Sequence, residues 1–255
     1  MTENSGHRPV KTVETAFDVL DAIQRLDGAG VTEIAAELGL AKSTAHRHLR
    51  TLSDRGLVVH EDEGYRLSTW FLDYGTHARR EHGLFDVVKP KVDELAETTD
   101  EKVWSVTEEH GKGVHLYGAT GRHSVRTHAR IGITTHLHQF AAGKCILAFL
   151  PDDRVREIID RHGLPASTEH TITDRGELFE HLETIRERGY AFNHEEAING
   201  VNAVGVPIKD TSGEAIGAIS IAGPANRLKD ELLTEELPEL LLGAANEVEV
   251  NLAHL

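Results

Sequence analysis

Between Val31 and Arg66 two short apolar-periodic segments, a glycine turn and an alternating ribbon follow one another, an order that leaves few folds open. Thr32 to Leu40 reads as a short amphipathic helix stopped by Gly39. Ala41 to Leu52 reads as a second helix. At about 100° per residue, Ala45, Leu49 and Leu52 fall on one face, and Ser43, His46, Arg47 and Arg50 fall opposite. Leu57–His60 and Tyr65–Ser68 alternate around Glu61-Asp62-Glu63-Gly64, a hairpin in which Gly64 supplies positive φ. Upstream, Val13, Phe17, Leu20, Ile23 and Leu26 recur at helical spacing from Lys11 to Asp27, closed by Gly28 and Gly30. Together these predict a winged helix-turn-helix domain over residues 8–68, with the polar face of its second helix free to enter a DNA major groove.

Local charge agrees. Residues 41–56 carry Lys42, Arg47, Arg50 and Arg55 against Asp54, net +3 in a chain of net −15. One cationic face suffices for groove binding, whatever the total. The DNA-binding candidates are Ser43, Thr44, His46, Arg47 and Arg50 on or near the groove face, with Lys42 and Arg66 positioning phosphates. Arg47 is the first choice for a bidentate contact to guanine, worth about 1–3 kcal/mol of discrimination. The wing tip, with Glu61, Asp62 and Glu63, is expected to stay off the phosphates. A merely solvated helix face is the alternative, but turn, stripe and ribbon all point the same way.

The 255 residues suffice for two domains. No apolar run reaches membrane-spanning length, and the N-terminus lacks a signal peptide's apolar core. The single Cys145 excludes an intramolecular disulfide and argues against a thiolate zinc site. A cytoplasmic protein is expected. The acid excess, 42 Asp plus Glu against 27 Lys plus Arg with only nine lysines, reads as adaptation to a high-salt, halophilic cytosol. There, about six phosphate contacts would lose roughly five orders of magnitude in affinity per tenfold rise in salt. Base contacts, shape and dimerisation would have to carry the complex.

After the wing, Trp70 to Glu81 predicts a linker helix within residues 69–83, interrupted near Gly75 and Gly83. Residues 84–255 form a second domain. Leu84 to Thr98 is helical, with Pro90 in its early turns or at a kink. Strands are predicted at Lys102–Glu109 and Val114–Thr120 around Gly111-Lys112-Gly113, and at Ser124–Ile131. Helices follow near Ala142–Leu150, Asp153–His162 and Asp174–Arg188. Two further strands, Asn202–Ile208 and Ala215–Ile221, flank a turn at Thr211–Glu214. A last helix, Glu231–Leu252, is expected to break at Pro238. The mixture predicts an α+β domain with an antiparallel sheet flanked by helices.

In this order the parts resemble the IclR family of bacterial and archaeal transcriptional regulators over nearly the full chain. The matching stretches are Thr32–Leu57, Gly132–His138 leading into Ala141-Ala142-Gly143-Lys144, Ile185–Ala191, and Gly217–Pro224. The resemblance implies a GAF-like effector-binding domain, a homodimer or tetramer, and binding to palindromic double-stranded DNA operators controlled by a small molecule. By matched position it places the effector near Ala141, Ala142 and Gly143, with Asn193, Ala203, Ser220 and Ala222 completing the pocket. A helix start there offers free N–H groups and a dipole that favour an anion, so an organic acid is the expected effector. Alternatively, the alanines and glycine serve tight helix–sheet packing. The family pattern has proline at Thr135 and alanine at Cys145; both departures lie beside the implied pocket and bear on effector identity.

Other chemistries are weaker. Among seventeen histidines, His136 and His138 would share a strand face near His123 and His128, a possible metal-responsive cluster, although hydrogen-bonded or solvated histidines are the simpler reading. No metal and no cofactor are expected. There is no Gly-x-Ser-x-Gly elbow, phosphate loop or His-Glu-x-x-His, and Cys145 beside Ile146 and Leu147 reads as core, so no enzyme is predicted. An architectural DNA-binding protein with a non-sensing second domain is the remaining alternative.

Overall fold

The structure, a computed structural model, describes residues 9–122, Ser124 and 129–254. It divides into two compact units whose sequence boundary falls between Ala78 and Arg79.

The N-terminal unit contains α1 (Lys11–Arg25), α2 (Val31–Glu37), α3 (Lys42–Asp54), and a ribbon of β1 (Val58–Glu61) and β2 (Gly64–Leu67). This is the expected winged helix-turn-helix. Ala45, Leu49 and Leu52, the predicted stripe of α3, are all buried. Leu49 and Ile34 are completely so, and each such side chain contributes about 1.5–3 kcal/mol relative to exposure. The wing is tied back by paired hydrogen bonds between Ala29 and Tyr65, 2.8 and 3.1 Å long. In α1 the outcome differs from the predicted stripe. Its core face is Val19, Leu20, Ala22 and Ile23, whereas Val13 and Phe17 are exposed. Phe17 instead lines an apolar groove with Ala16, Leu20, Leu52, Leu57, Phe71 and Tyr74. Periodicity fixes which residues share a face, not how far the core extends along it.

Helix α4 (Phe71–Glu81) runs through Gly75 without interruption and is followed by a turn at His82-Gly83-Leu84. Next comes α5 (Phe85–Thr99), within the second unit, which continues past Pro90. Its buried residues Phe85, Val88, Val92, Leu95 and Ala96 form a helical stripe.

A six-stranded antiparallel sheet follows, in the order β5-β4-β3-β8-β7-β6. Its strands are β3 (Lys102–Glu109), β4 (Lys112–Thr120), β5 (Thr134–His136), β6 (Ala191–His194), β7 (Val201–Lys209) and β8 (Ala215–Pro224). One face carries α5 and the C-terminal helix α9 (Leu237–Leu252), joined through Val103, Val204, Val206, Ile219 and Ile221. The other carries α6 (Ala141–Ala148), α7 (Asp152–His162) and α8 (Arg175–Arg188).

Several boundaries shift for physical reasons. The β3–β4 turn is His110-Gly111 rather than Gly111–Gly113. Both residues have positive φ, 53° and 83°, as a two-residue turn matching strand twist requires. Of the strand expected at Ser124–Ile131, residues 125–128 lie outside the described residues, and Ser124, Ala129, Arg130 and Ile131 are not in a strand; β4 pairs with β3 on one side and β5 on the other. Pro238 does not break the last helix. A π turn, Leu232–Glu236, leads directly into α9, and Leu237 N–H bonds to Leu232 five residues back, so the ring of Pro238 sits within the first turn of α9.

Candidate DNA-binding face and candidate ligand cavity

The exposed side of α3 is the expected one. Lys42, Ser43, His46, Arg47 and Arg50 are exposed, Thr44 is half-buried, and among the described residues none of these side chains is spent on a neighbour. Arg66, the other expected phosphate contact, is paired within the wing. Its Nε donates to Glu61 Oε1 at 2.6 Å and one terminal nitrogen donates to the Leu67 carbonyl at 3.3 Å. The acidic wing therefore already supplies the anion that a phosphate would have to displace.

In the second unit, a cavity of about 240 Å³ opens between the start of α6 and the α6-facing side of the sheet. Five of the expected residues, Ala141, Asn193, Ala203, Ser220 and Ala222, line it together. Ala142 and Gly143 are not among its lining residues. A Cβ on Gly143 would stand 2.1 Å from the Leu137 carbonyl, and one on Gly205 would stand 2.9 Å from Ala142 N. These small residues let the first turn of α6 press against β7 and the 3-10 turn Leu137–Gln139. Packing explains them. The first backbone donor of the helix to find a carbonyl is Lys144, which reaches Phe140. The N–H groups of residues 141–143 have no acceptor among the described residues, and with the helix dipole they favour an anion at this end.

Residues that sequence reasoning missed complete the cavity: Trp104 on β3, His115 on β4, Ile133, Phe140, and Ala197 and Ile198 on the segment after β6. That segment is strapped down. Ser167 Oγ, Thr168 Oγ1 and Thr171 Oγ1 donate to the carbonyls of Ala197, Glu195 and Glu196 at 2.8, 2.7 and 2.7 Å. Beneath it Lys144 Nζ reaches both oxygens of Glu196 at 2.6 Å, fully buried.

Cys145 is buried in the core. It donates to the Gly205 carbonyl at 3.0 Å, and burial pushes its thiol up to about 12. The histidine cluster is likewise occupied. Lys112 Nζ lies 2.7 Å from His136 Nε2, His138 Nε2 faces the Pro165 carbonyl, and His162 Nε2 faces that of His110. An ammonium beside His136 repels a metal cation, and among the described residues no metal-holding group of three or more His, Cys, Asp or Glu gathers. His123 and His128 lie outside the described residues.

His115, only 7% exposed, is lowered to about 4 by burial, with the Lys102 ammonium adding to it. Its folded value lies below the unfolded 6.5, so its contribution to stability is complete above pH 6.5. That contribution is lost as pH falls towards 4. Between pH 7 and 4.5 this one group accounts for about 2–3 kcal/mol. His115→Phe should flatten the acid limb of a urea-unfolding pH series by that amount; an unchanged limb would mean the imidazole is solvated.

Comparison with known proteins completes the assignment. Residues 12–62 match the IclR helix-turn-helix domain, and residues 76–250 match the domain described as bacterial transcriptional regulator IclR C-terminal. A Halobacterium salinarum protein named "Probable HTH-type transcriptional regulator ArcR" is 36% identical over 98% of this chain and 96% of its own. The crystal structure of Thermotoga maritima IclR superposes with TM-score 0.79 at 30% identity, covering 96% of this chain and 99% of that one. An IclR homolog from Microbacterium hydrocarbonoxydans, complexed with 4-hydroxybenzoate, shares the fold at TM-score 0.79 and 24% identity, covering 96% of this chain and all of that one. With an exposed helix-turn-helix on one unit and a cavity on the other, the chain belongs to the IclR family of DNA-binding transcriptional regulators with a C-terminal effector-binding domain.

Proposed function

We propose that this regulator binds a palindromic operator as a homodimer or a dimer of dimers, and that a small carboxylic acid in the α6 cavity changes its operator affinity. The observation that carries this reading is the cavity itself. It is lined mainly by apolar side chains, and it faces a helix start whose N–H groups lack acceptors among the described residues. The complex of the Microbacterium hydrocarbonoxydans homolog with 4-hydroxybenzoate is consistent with a carboxylate there. Ala141, Asn193, Ala203, Ser220 and Ala222 would contact the acid, while Ala142 and Gly143 hold the turn in place.

On the DNA side, Ser43, Thr44, His46, Arg47 and Arg50 would read or approach bases, and Lys42 would hold a phosphate. Arg66 could join only by leaving Glu61. The exposed Phe17 and Tyr74 around the apolar groove of the first unit favour pairing of subunits through α1 and α4. No helix among the described residues is long and apolar enough to cross a membrane, and the protein would act in the cytoplasm, where its operator lies. An architectural role would leave such a cavity without a purpose.

Footprinting and fluorescence anisotropy at molar KCl test the proposal. We expect a discrete palindromic footprint, and an acid that changes operator affinity by about 5–150-fold while operator changes the acid's affinity by the same factor. Unpatterned coating of DNA, indifferent to every acid tried, would instead establish the architectural reading.

A further inference from the structure

Where α8 hands over to β6, the chain buries positive charge without an acid to match it. Arg188, the last residue of α8, donates from Nε to the Tyr190 carbonyl at 2.6 Å. Its guanidinium lies over the rings of Tyr190 and Phe192, 5.0 and 4.6 Å from their centroids. Its Nη2 is buried and has no hydrogen-bond partner among the described residues, and none of their carboxylates forms an ion pair with it. His181, seven positions earlier and on the same face of α8, likewise buries a ring nitrogen, Nε2, without a partner. An arginine does not escape this position by losing its proton, so the orphaned donor keeps its cost.

The neighbours add to the excess. Lys144 Nζ on α6 holds both oxygens of Glu196 at 2.6 Å, and Glu196 Oε1 also accepts from the His194 backbone N–H at 3.3 Å. Glu196 is therefore spent on Lys144. The charges of Lys144 and Arg188 both act on the rings of His181 and His194, and Arg188 acts on Lys144. These four basic groups thus surround one region between α6, α8 and β6. Burial lowers His181 to about 4, with the Lys144 and Arg188 charges adding to it. At neutral pH it is an uncharged ring with one N–H to donate. Two cations then face a single carboxylate, and one positive charge is left over out of water.

We propose that a chloride ion binds in this region, accepts from Arg188 Nη2 beside the His181 ring, and supplies the missing counter-charge of the C-terminal unit. A water molecule would accept from the same nitrogen but leave the charge excess as it stands. A polyatomic anion would bring several oxygens into a packed region that buries only two unpartnered nitrogens among these groups, whereas a spherical ion makes no such demand. In the high-salt cytosol that the acid excess of this chain suggests, even a weak chloride site fills. Strand β6 runs from here to Asn193 at the ligand cavity, so the ion would also steady a cavity wall.

Urea unfolding of the full chain tests this, with chloride raised from about 10 mM to about 1 M while potassium sulfate keeps potassium constant. Solvent effects alone favour the sulfate end, because sulfate strengthens burial generally. Relative to Arg188→Met, the parent should gain a saturable stabilisation as chloride rises. A site with a Kd of about 10 mM multiplies the folding equilibrium constant about a hundredfold at about 1 M chloride. Crystals grown in bromide should show anomalous density within hydrogen-bonding reach of Arg188 Nη2, a readout that stands even if Arg188→Met does not fold. The same chloride response in parent and variant, or no bromide at Nη2, overturns the proposal. Bromide at Nη2 without any chloride-dependent stabilisation marks an adventitious ion only, and overturns it as well.

Discussion

Replacing Lys144 with alanine is expected to destabilise the C-terminal unit by about 3–5 kcal/mol, because it strands a buried carboxylate. Lys144 is completely buried and Glu196 nearly so, with the ammonium 2.6 Å from both carboxylate oxygens. Burial pulls the Lys144 ammonium below its ordinary value even against the opposing charge of Glu196. The pair as a whole therefore adds little net stability, and the loss comes from breaking it. Lys144→Met combined with Glu196→Leu should accordingly recover most of what Lys144→Ala loses, a non-additivity that a double-mutant cycle in urea would resolve. A single-variant loss below about 1 kcal/mol would show that water reaches the pair. The consequence extends to the ligand. Glu196 lies on the segment that places Ala197 and Ile198 against the cavity. Loosening the pair therefore loosens a cavity wall.

That ion pair also shows where sequence reading stops. Lysine in an amphipathic context reads as a surface residue, and its partner lies 52 positions away. Nothing local announces either. The winged helix was legible because each of its signals is local: a 3.6-residue stripe, a glycine stop and a ribbon turn closed by Gly64. The cavity was half legible. Small residues at 141–143 marked the helix start, but the same smallness serves close packing, and only coordinates separate Ala141 from Ala142 and Gly143. Trp104 and His115 stand on adjacent strands, and a register shift between Ser105 and Val106 disturbs the alternation that would have flagged a shared face. Strand β6 escaped notice because four residues beyond Gly189 are too few for a period to emerge.

On the DNA side, the double variant Arg47→Ala/Arg50→Ala should bind specific operator about a hundredfold or more weakly, at about 1–3 kcal/mol for each lost base contact. Stability should barely change. Both arginines are exposed on α3, and the hydrogen bond from Thr51 Oγ1 goes to the Arg47 backbone carbonyl, which alanine retains. Lys42→Ala is the informative control. A phosphate contact weakens all sequences alike and lowers the salt slope by about one, whereas a base contact relaxes discrimination and leaves the slope alone. This chain makes the distinction sharp, because its net charge of −15 gives little general attraction to DNA and leaves specificity to a few side chains. Glu61→Gln adds a second check. It frees Arg66 from the carboxylate that holds it, so operator affinity should rise if the wing approaches phosphate. Should Arg47→Ala/Arg50→Ala bind operator as tightly as the parent, α3 is not the recognition element, however well its exposed face fits a groove.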